Sequence, residues 1–569
     1  MSAGKGVEDR IDVFIDGEKV SCPPGTNLID LVAGMGKEIP HYCYHPKLSV
    51  SGNCRMCLVE LGTPAINRET GKPVLDEKGA PKIMFFPNPA IACATRLTSG
   101  MHVKTQSAKV KECRKAVLEF LLINHPLDCP ICDQAGECLL QEFATDYGRG
   151  YSRFIEDKVV KPKRTVLGPR VMLDDERCIL CSRCIRFCQE VVEDDVLGFV
   201  DRGTYTTLSC YPGKQLENNY SLNTVDICPV GALTSRDFRF RMRVWFLKET
   251  PSICTESSVG VNTLVGSREG KVYRITPRRN DEVNDTWMPD SGRALYNRID
   301  AKNRLLKFRV NRLPVRPEEA LQEALRRLQG EKVAFVGSGQ SSVEEHFLFD
   351  CLSRAARSVL NCLVGRTREG DGFLISNDAN PNVRGALCLG FIDTLPGAEL
   401  TGLAEKINRG QVNTVVVHNE DLTTAGIGPG QLEKVEVVYL GSHGNGTAEI
   451  ASVVIPTLTV FEKSGTFINQ QFRLQKFLQA IPGPPGVLDD LVTISRLLNL
   501  LDGDEDRLAT PEAVWSVLSG KLKCFEGIAF DTLPETGVPL DASAFRSLPF
   551  CEGASLHFEP ETESVEARA

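Results

Sequence analysis

The chain has 569 residues, 42% of them hydrophobic and 25% charged, and a net charge of −8. These are soluble globular values that exclude wholesale disorder and collagen-like sequence, and at roughly 100–200 residues per domain the length predicts about three to five domains. The acidic balance argues against a nucleic-acid surface, which needs a concentrated positive field, and no apolar run reaches the ~18–20 residues of a membrane helix.

The opening MSAGKGVEDR lacks an apolar stretch and carries Glu8 and Asp9, so it reads neither as a secretory signal nor as a transit peptide. Without such a signal, disulfide stapling is not expected. Yet there are 21 cysteines, and fifteen of them precede residue 230. Clustered cysteines in this setting read as metal ligands or redox groups.

Residues 10–22 alternate apolar and polar side chains around Asp16-Gly17, a hairpin signal. Thr26 is expected to cap a short helix in NLIDLVAGMG, ended by Gly34 or Gly36. A cysteine set follows: Cys43, Cys54, Cys57 and Cys93, spaced C-x10-C-x2-C-x35-C. Three thiols in one loop and a fourth after a sheet excursion is the logic of plant-type [2Fe-2S] proteins, here with a longer first gap. Ser49, Ser51 and Gly52 are small enough to let backbone N–H groups approach the sulfurs. Hairpin, helix and cysteine loop together predict a β-grasp [2Fe-2S] domain over 1–105. A structural zinc is the alternative, although zinc sites favour two close cysteine pairs and this set has one.

Apolar residues at Val110, Val117, Leu118, Leu121 and Leu122 predict a helix over 106–124 that leads to His125. The second set is His125, Cys129, Cys132 and Cys138, spaced H-x3-C-x2-C-x5-C, with Pro126 and Pro130 stiffening the loop. It predicts a one-His/three-Cys [4Fe-4S] domain over 106–164. Zinc held by three thiolates and an imidazole stays open on spacing alone. The third set is Cys178, Cys181, Cys184 and Cys188, with Cys228 far along in DICPVGAL. C-x2-C-x2-C-x3-C is the bacterial ferredoxin run, in which the fourth cysteine serves a second cluster. No second run exists here. The expectation is one [4Fe-4S] cluster on Cys178, Cys181, Cys184 and Cys228 in a ferredoxin-like domain over 165–245, with Cys188 a free or structural thiol. The basic, aromatic stretch 236–249 reads as a linker or an interface strand.

The other cysteines outside these sets (Cys22, Cys113, Cys210, Cys254, Cys351, Cys362, Cys388, Cys524, Cys551) read as small buried hydrophobes. From about 310, strand-like KVAFVG, TVVVHN and VEVVYLG alternate with helical EEALQEALRRLQ, the pattern of a mostly parallel α/β sheet. VGSGQSS (336–342) lacks the third glycine of a dinucleotide fingerprint and reads as a tight turn. Residues 549–569 are polar and acidic and are expected to form a disordered tail.

In order and spacing, PHYCYHPKLSVSGNCRMCLVE, NHPLDCPICDQAGECLLQ and RCILCSRCIRFCQE with DICPVGAL resemble the large iron–sulfur (NuoG-type) subunits of respiratory NADH:quinone oxidoreductase, complex I. The resemblance covers about 10–250. It implies one [2Fe-2S] and two [4Fe-4S] clusters on the twelve donors named above. It also implies a relay of single electrons from a flavin/NADH-binding subunit toward quinone-side iron–sulfur subunits. The implied place is the peripheral arm on the cytoplasmic face of a bacterial inner membrane, or the matrix side if organellar. In this reading the chain has no substrate site of its own and is part of an enzyme. The same N-terminal order resembles iron–sulfur subunits of NAD-reducing hydrogenases and formate dehydrogenases. These, and a zinc-stabilised assembly scaffold, are the alternatives.

Members of this family can hold a further [4Fe-4S] cluster on C-x2-C-x3-C plus a distant cysteine. Here only Cys254 stands; Ser257, Val261 and Pro289 occupy the other positions, so 246–310 is expected to be a degenerate fourth-cluster domain. Beyond it, NDANPNVRGAL and ASVVIPTLTVFEKSGTFINQQFRLQ give 311–548 the flavour of a shortened molybdopterin-oxidoreductase domain. Phe472 stands where the related run Asn-x-Glu-Gly-Arg has glycine, so the expectation is a scaffold without molybdopterin.

Overall fold

The structure, a computed structural model, describes residues 10–560 apart from 68, 69, 71, 78 and 504–507. It divides into two units that meet in sequence between Trp245 and Phe246, inside the basic, aromatic stretch.

The first unit opens with the expected hairpin. Ile11–Ile15 pairs antiparallel with Glu18–Cys22 through Asp16 (φ 50°) and Gly17 (φ 89°), two positive φ values of the kind a tight hairpin turn requires. Ile11–Ile15 also runs parallel to His102–Lys104, which pairs antiparallel with Leu58–Pro64. Ile83–Phe85 and Ala90–Ile91 bring this sheet to six strands. Helix Leu28–Gly34 buries Leu28, Ile29 and Val32 in a core with Val13, Ile15, Val59 and Val103. Its cap differs from the expectation. The Thr26 hydroxyl donates to the Pro23 carbonyl at 2.7 Å, and Asn27 Oδ1 accepts the Ile29 N–H at 2.9 Å. Thr26 is spent on closing the preceding turn, so the next residue caps.

Ser107 caps helix Ala108–Leu122, which ends just before His125. A second helix, Leu139–Tyr147, begins directly after Cys138 and packs on the first. A small antiparallel sheet then joins Leu233–Ser235, Val171–Leu173 and Thr165–Val166. It draws together the chain just before Cys178 and just after Cys228, two positions far apart in sequence.

The second unit begins with the antiparallel strands Lys248–Ile253, Asn262–Arg268 and Lys271–Pro277. Its centre is a seven-stranded sheet in which Leu360–Val364, Val333–Ser338, Thr414–His418, Glu436–Gly441 and Val453–Pro456 lie side by side and parallel. The pleat sorts each strand onto two faces. Val333, Phe335, Val416, Val438 and Val453 enter one core, and Ala334, Val336, Val415, Val437 and Val454 the other. A sheet covered on both faces explains why these strands read as continuous apolar runs.

The tail corrects an expectation. Part of it is tied down: Glu552 is buried and ion-pairs with buried Arg384 on helix Val383–Leu389, and Phe550 lies over the same guanidinium, while Pro549, Cys551, Ala554, His557, Glu559 and Pro560 are exposed. The acidic composition hid one carboxylate with a buried partner. Residues 561–569 lie outside the described residues.

Candidate metal centres

The loop from Cys43 to Cys57 turns on left-handed residues, Gly52 (φ 65°) and Arg55 (φ 58°). The Cys43 thiol comes within hydrogen-bonding reach of Cys54 and Cys93, and Cys57 of Cys93. Cys43, Cys57 and Cys93 are buried. The crowding splits the thiols. Hydrogen bonds from Cys54 and Cys93 hold Cys43 well below the usual thiol range, and contact with Cys43 and Cys57 pushes Cys93 up. Backbone N–H groups of Asn53 and Cys54 point at Cys43, and those of Ala92 and Cys93 at Cys57. Four sulfurs this close cannot all ionise unless a cation compensates them.

In the second set a 3₁₀ turn, Cys129–Ile131, with Pro130 inside it, leads from Cys129 to Cys132. Cys129, Cys132 and Cys138 lie within electrostatic reach of one another. His125 is half-buried, and burial, then the cations Arg177 and Lys158, push its pKa down to about 4. The imidazole is thus neutral and can donate a ring nitrogen to a metal. Arg177 donates to Asp128 at 2.6 Å and Asp174 at 2.8 Å and lies beside Cys132. The basic, aromatic stretch clamps this loop. Arg243 donates to the Cys132 carbonyl at 2.6 Å and to the Pro130 carbonyl, and the Phe240 N–H donates to Asp133 at 2.9 Å. Trp245 packs where a side chain at Gly136 (φ 92°) would sit. The cations and rings of 236–249 are plain in the sequence, but this use for them is not.

In the third set two left-handed residues, Leu180 (φ 56°) and Ser182 (φ 62°), fold the C-x2-C-x2-C run. Cys178, Cys181, Cys184 and Cys228 share one electrostatic neighbourhood, and burial pushes all four thiols up, Cys181 to about 11. The Cys228 sulfur meets the backbone N–H groups of Val230, Ala232 and Leu233. Cys188, on helix Arg183–Glu190, is fully buried; Asp194, Cys210 and Asp195 lie around it, and Cys184 of the third set is also within its electrostatic reach.

The three sets adjoin. The Leu139 N–H, one residue past Cys138, donates to the carbonyl of Pro229, one past Cys228, at 3.2 Å. A Cβ on Gly231 would stand 2.5 Å from the Cys132 sulfur. Tyr42 is buried next to Cys138 of the second set and Cys54 of the first. Around them lie three buried guanidinium groups, Arg114, Arg183 and Arg186. Among the described residues none of the three forms an ion pair with a carboxylate, and Arg114 leaves Nε and Nη1 without a hydrogen-bond partner. Burying an uncompensated charge costs several kcal/mol. Arg183 and Arg186, buried beside cysteine sets without a carboxylate ion pair, fit an anionic metal–thiolate group, whereas Arg114 has Asp16 and Glu38 as well as Cys57 within electrostatic reach.

At the expected fourth site Cys254 is buried, with Ser257 and Val261 buried at the neighbouring positions. A Cβ on Gly292 would reach within 2.7 Å of the Cys254 sulfur. One further group leaves no trace in the sequence. Glu345, His418 and Asp490 converge in the second unit with metal-ligand spacing, but Lys463 sits among them, 3.2 Å from Asp490 and paired with Glu345. The ammonium already fills the cation position. No spacing signal links residues 345, 418, 463 and 490.

Known families tile the chain in the same order. Residues 8–108 match the 2Fe-2S iron-sulfur cluster binding domain, 114–153 the NADH-ubiquinone oxidoreductase-G iron-sulfur binding region, and 168–234 the ferredoxin-like domain of NADH-quinone oxidoreductase subunit 3. Residues 247–297 match the NDSU1/NuoG-like 4Fe-4S domain, although only one of its expected cysteines is present, and 335–497 match molybdopterin oxidoreductase. Fold and sites thus define an iron–sulfur protein of mixed α/β architecture, with binding domains of both the 2Fe-2S and 4Fe-4S types. The G-type subunit of NADH-quinone oxidoreductase from Rickettsia felis is 36% identical over 447 residues, 76% of this chain and 62% of that protein. The corresponding subunit 3 from Thermus thermophilus is 38% identical over 377 residues, 63% of this chain and 48% of its own length. The chain is thus similar to the NuoG-type subunits of NADH-quinone oxidoreductase, and the matches span less than two thirds of these relatives' length. A crystal structure of NAD+-reducing [NiFe]-hydrogenase aligns with 41% of this chain and 91% of its own at 24% identity, with a TM-score of 0.33.

Proposed function

We propose that the chain is an electron-relay subunit of an NADH:quinone oxidoreductase. In this reading Cys43, Cys54, Cys57 and Cys93 hold one [2Fe-2S] cluster. His125, Cys129, Cys132 and Cys138 hold one [4Fe-4S] cluster, and Cys178, Cys181, Cys184 and Cys228 another. Bound clusters supply one-electron storage at tuned potentials. The protein's part is to fix distance, dryness and charge. The paired strands Val171–Leu173 and Leu233–Ser235 set the separation of the third ligand set. Left-handed residues aim backbone N–H groups at sulfur, and buried arginines offset the charge of the thiolates. The observation that carries the reading is the adjacency of the three donor sets, with buried Arg183 and Arg186 between the first and the third. A relay needs neighbouring stations, and a zinc-stabilised scaffold does not.

The partners in this reading are a flavin/NADH-binding subunit and quinone-side iron–sulfur subunits, in a peripheral arm at the cytoplasmic or matrix face of the membrane. No helix among the described residues is long and apolar enough to cross a membrane. The region 246–310 holds no cluster in this reading, because one thiol remains of its four ligand positions. The α/β region beyond it serves as a scaffold without molybdopterin, Phe472 (φ 56°) replacing a glycine at a left-handed position. The alternative, a hydrogenase or formate dehydrogenase component, needs a hydrogen-activating or pterin site that no sequence motif supplies. Low-temperature EPR of the dithionite-reduced chain tests the proposal. One binuclear and two tetranuclear signals are expected; a silent spectrum from zinc-loaded, colourless protein would refute it.

A further inference from the structure

Arg183 begins the helix that follows the third cysteine run, and the residue is 7% exposed. Its guanidinium donates to the Ile227 carbonyl, next to Cys228, at 3.1 Å, and to the Tyr44 carbonyl, next to Cys43. One side chain thus bonds to the ligand segments of both the first and the third set. Its electrostatic neighbours are Cys181 and Cys228 of the third set and Cys43 and Cys54 of the first. One helical turn on, Arg186 repeats the pattern, donating to the Cys43 carbonyl at 2.6 Å, to the Ser49 carbonyl, and to the Cys181 carbonyl at 3.4 Å. Weaker polar contacts close the same seam: Asn53 to the Leu180 carbonyl at 3.1 Å and the Ser49 N–H to Glu190 at 2.7 Å. Spacing i, i+3 puts both arginines on one face of the helix, and that face is the seam.

Resting on the ligand assignment above, we infer that Arg183 is a shared counter-ion of the first and third clusters, with Arg186 as its support. Reduction adds one negative charge to either cluster with no other change in composition. A buried positive charge beside both favours each reduced state, because the low local dielectric screens it poorly. The same cation also lowers the cost of having both clusters reduced at once. Arg183 is a positioning residue, since it acts on the cofactors through charge and through the loops that hold them.

The test is an EPR-monitored redox titration of the three-cluster chain in wild type, Arg183→Gln and Arg183→Lys. In Arg183→Gln the reduced-to-oxidised ratio at fixed potential should fall about tenfold or more at the [2Fe-2S] cluster and at the all-cysteine [4Fe-4S] cluster, about 59 mV for one electron. The His125-containing cluster, whose donors are not among the neighbours of Arg183, should move least. Arg183→Lys keeps the charge and loses the paired guanidinium bonds, so both ratios should stay within about threefold of wild type. Unchanged ratios in Arg183→Gln, or a fall at one cluster alone, overturn the inference. If Arg183→Gln does not assemble, Arg183→Lys still decides, because a tenfold fall there means charge is not what matters. A wild-type chain without iron signals instead sinks the ligand assignment, and is seen before any variant is made.

Discussion

At the scale of single residues, what separates the three donor sets is charge. In the proposed assignment His125 contributes a neutral donor where the other two sets have a thiolate. His125→Cys should therefore keep a tetranuclear cluster and lower its reduction potential, because a negative charge is added. A redox titration that finds the same or a higher potential removes His125 from the ligand set. Cys188 is the reverse case, a cysteine inside a ligand-like run whose buried thiol sits beside Asp194 and Cys210. Cys188→Ala should leave iron content unchanged and cost roughly 1 kcal/mol of stability from the lost buried sulfur. Loss of four irons in that variant would reassign the fourth ligand to Cys188. The twelve proposed donors could be picked out in the sequence because ten of them lie in short-range spacing motifs, with Cys93 and Cys228 returning from farther along the chain. Arg114, Arg183 and Arg186 could not, since a cation reveals no partner until distant loops close on it.

At the scale of elements, glycine and left-handed residues let the ligand loops approach one another. Gly231 is the sharpest case, because its backbone passes where a Cβ would stand 2.5 Å from the Cys132 sulfur. Gly231→Ala should disturb the His125-containing cluster although residue 231 lies in the loop of the Cys228 set. Iron loss or an altered EPR line shape confined to that cluster is the expected result, and an unperturbed spectrum would contradict the packing. Hairpin, helices and parallel strands could be read from periodicity, since each is decided within a few residues. The use of 236–249 could not. Arg243, Phe240 and Trp245 gain their meaning from Pro130, Cys132, Asp133 and Gly136, far back along the chain.

At the scale of the whole molecule, two kinds of core divide the chain. The first unit surrounds its three cysteine sets with a six-stranded sheet, smaller sheets and helices. The second is a doubly covered parallel sheet with a buried charge group, Glu345, His418, Lys463 and Asp490. The acidic tail contributes to that unit, with Glu552 as the partner of buried Arg384. Glu552→Gln strands the guanidinium and should cost about 3 kcal/mol, as breaking a buried pair does. A thermal melt within error of wild type would mean the tail packs without the pair. Composition misread these residues because one buried carboxylate leaves no mark on an average.

On the proposed assignment, twelve side chains hold inorganic clusters. Iron and acid-labile sulfide measured per chain on anaerobically purified, full-length protein test it most directly. About ten irons are expected, two and four and four, with matching sulfide and no stoichiometric zinc. Three zinc ions per chain and no sulfide would contradict it.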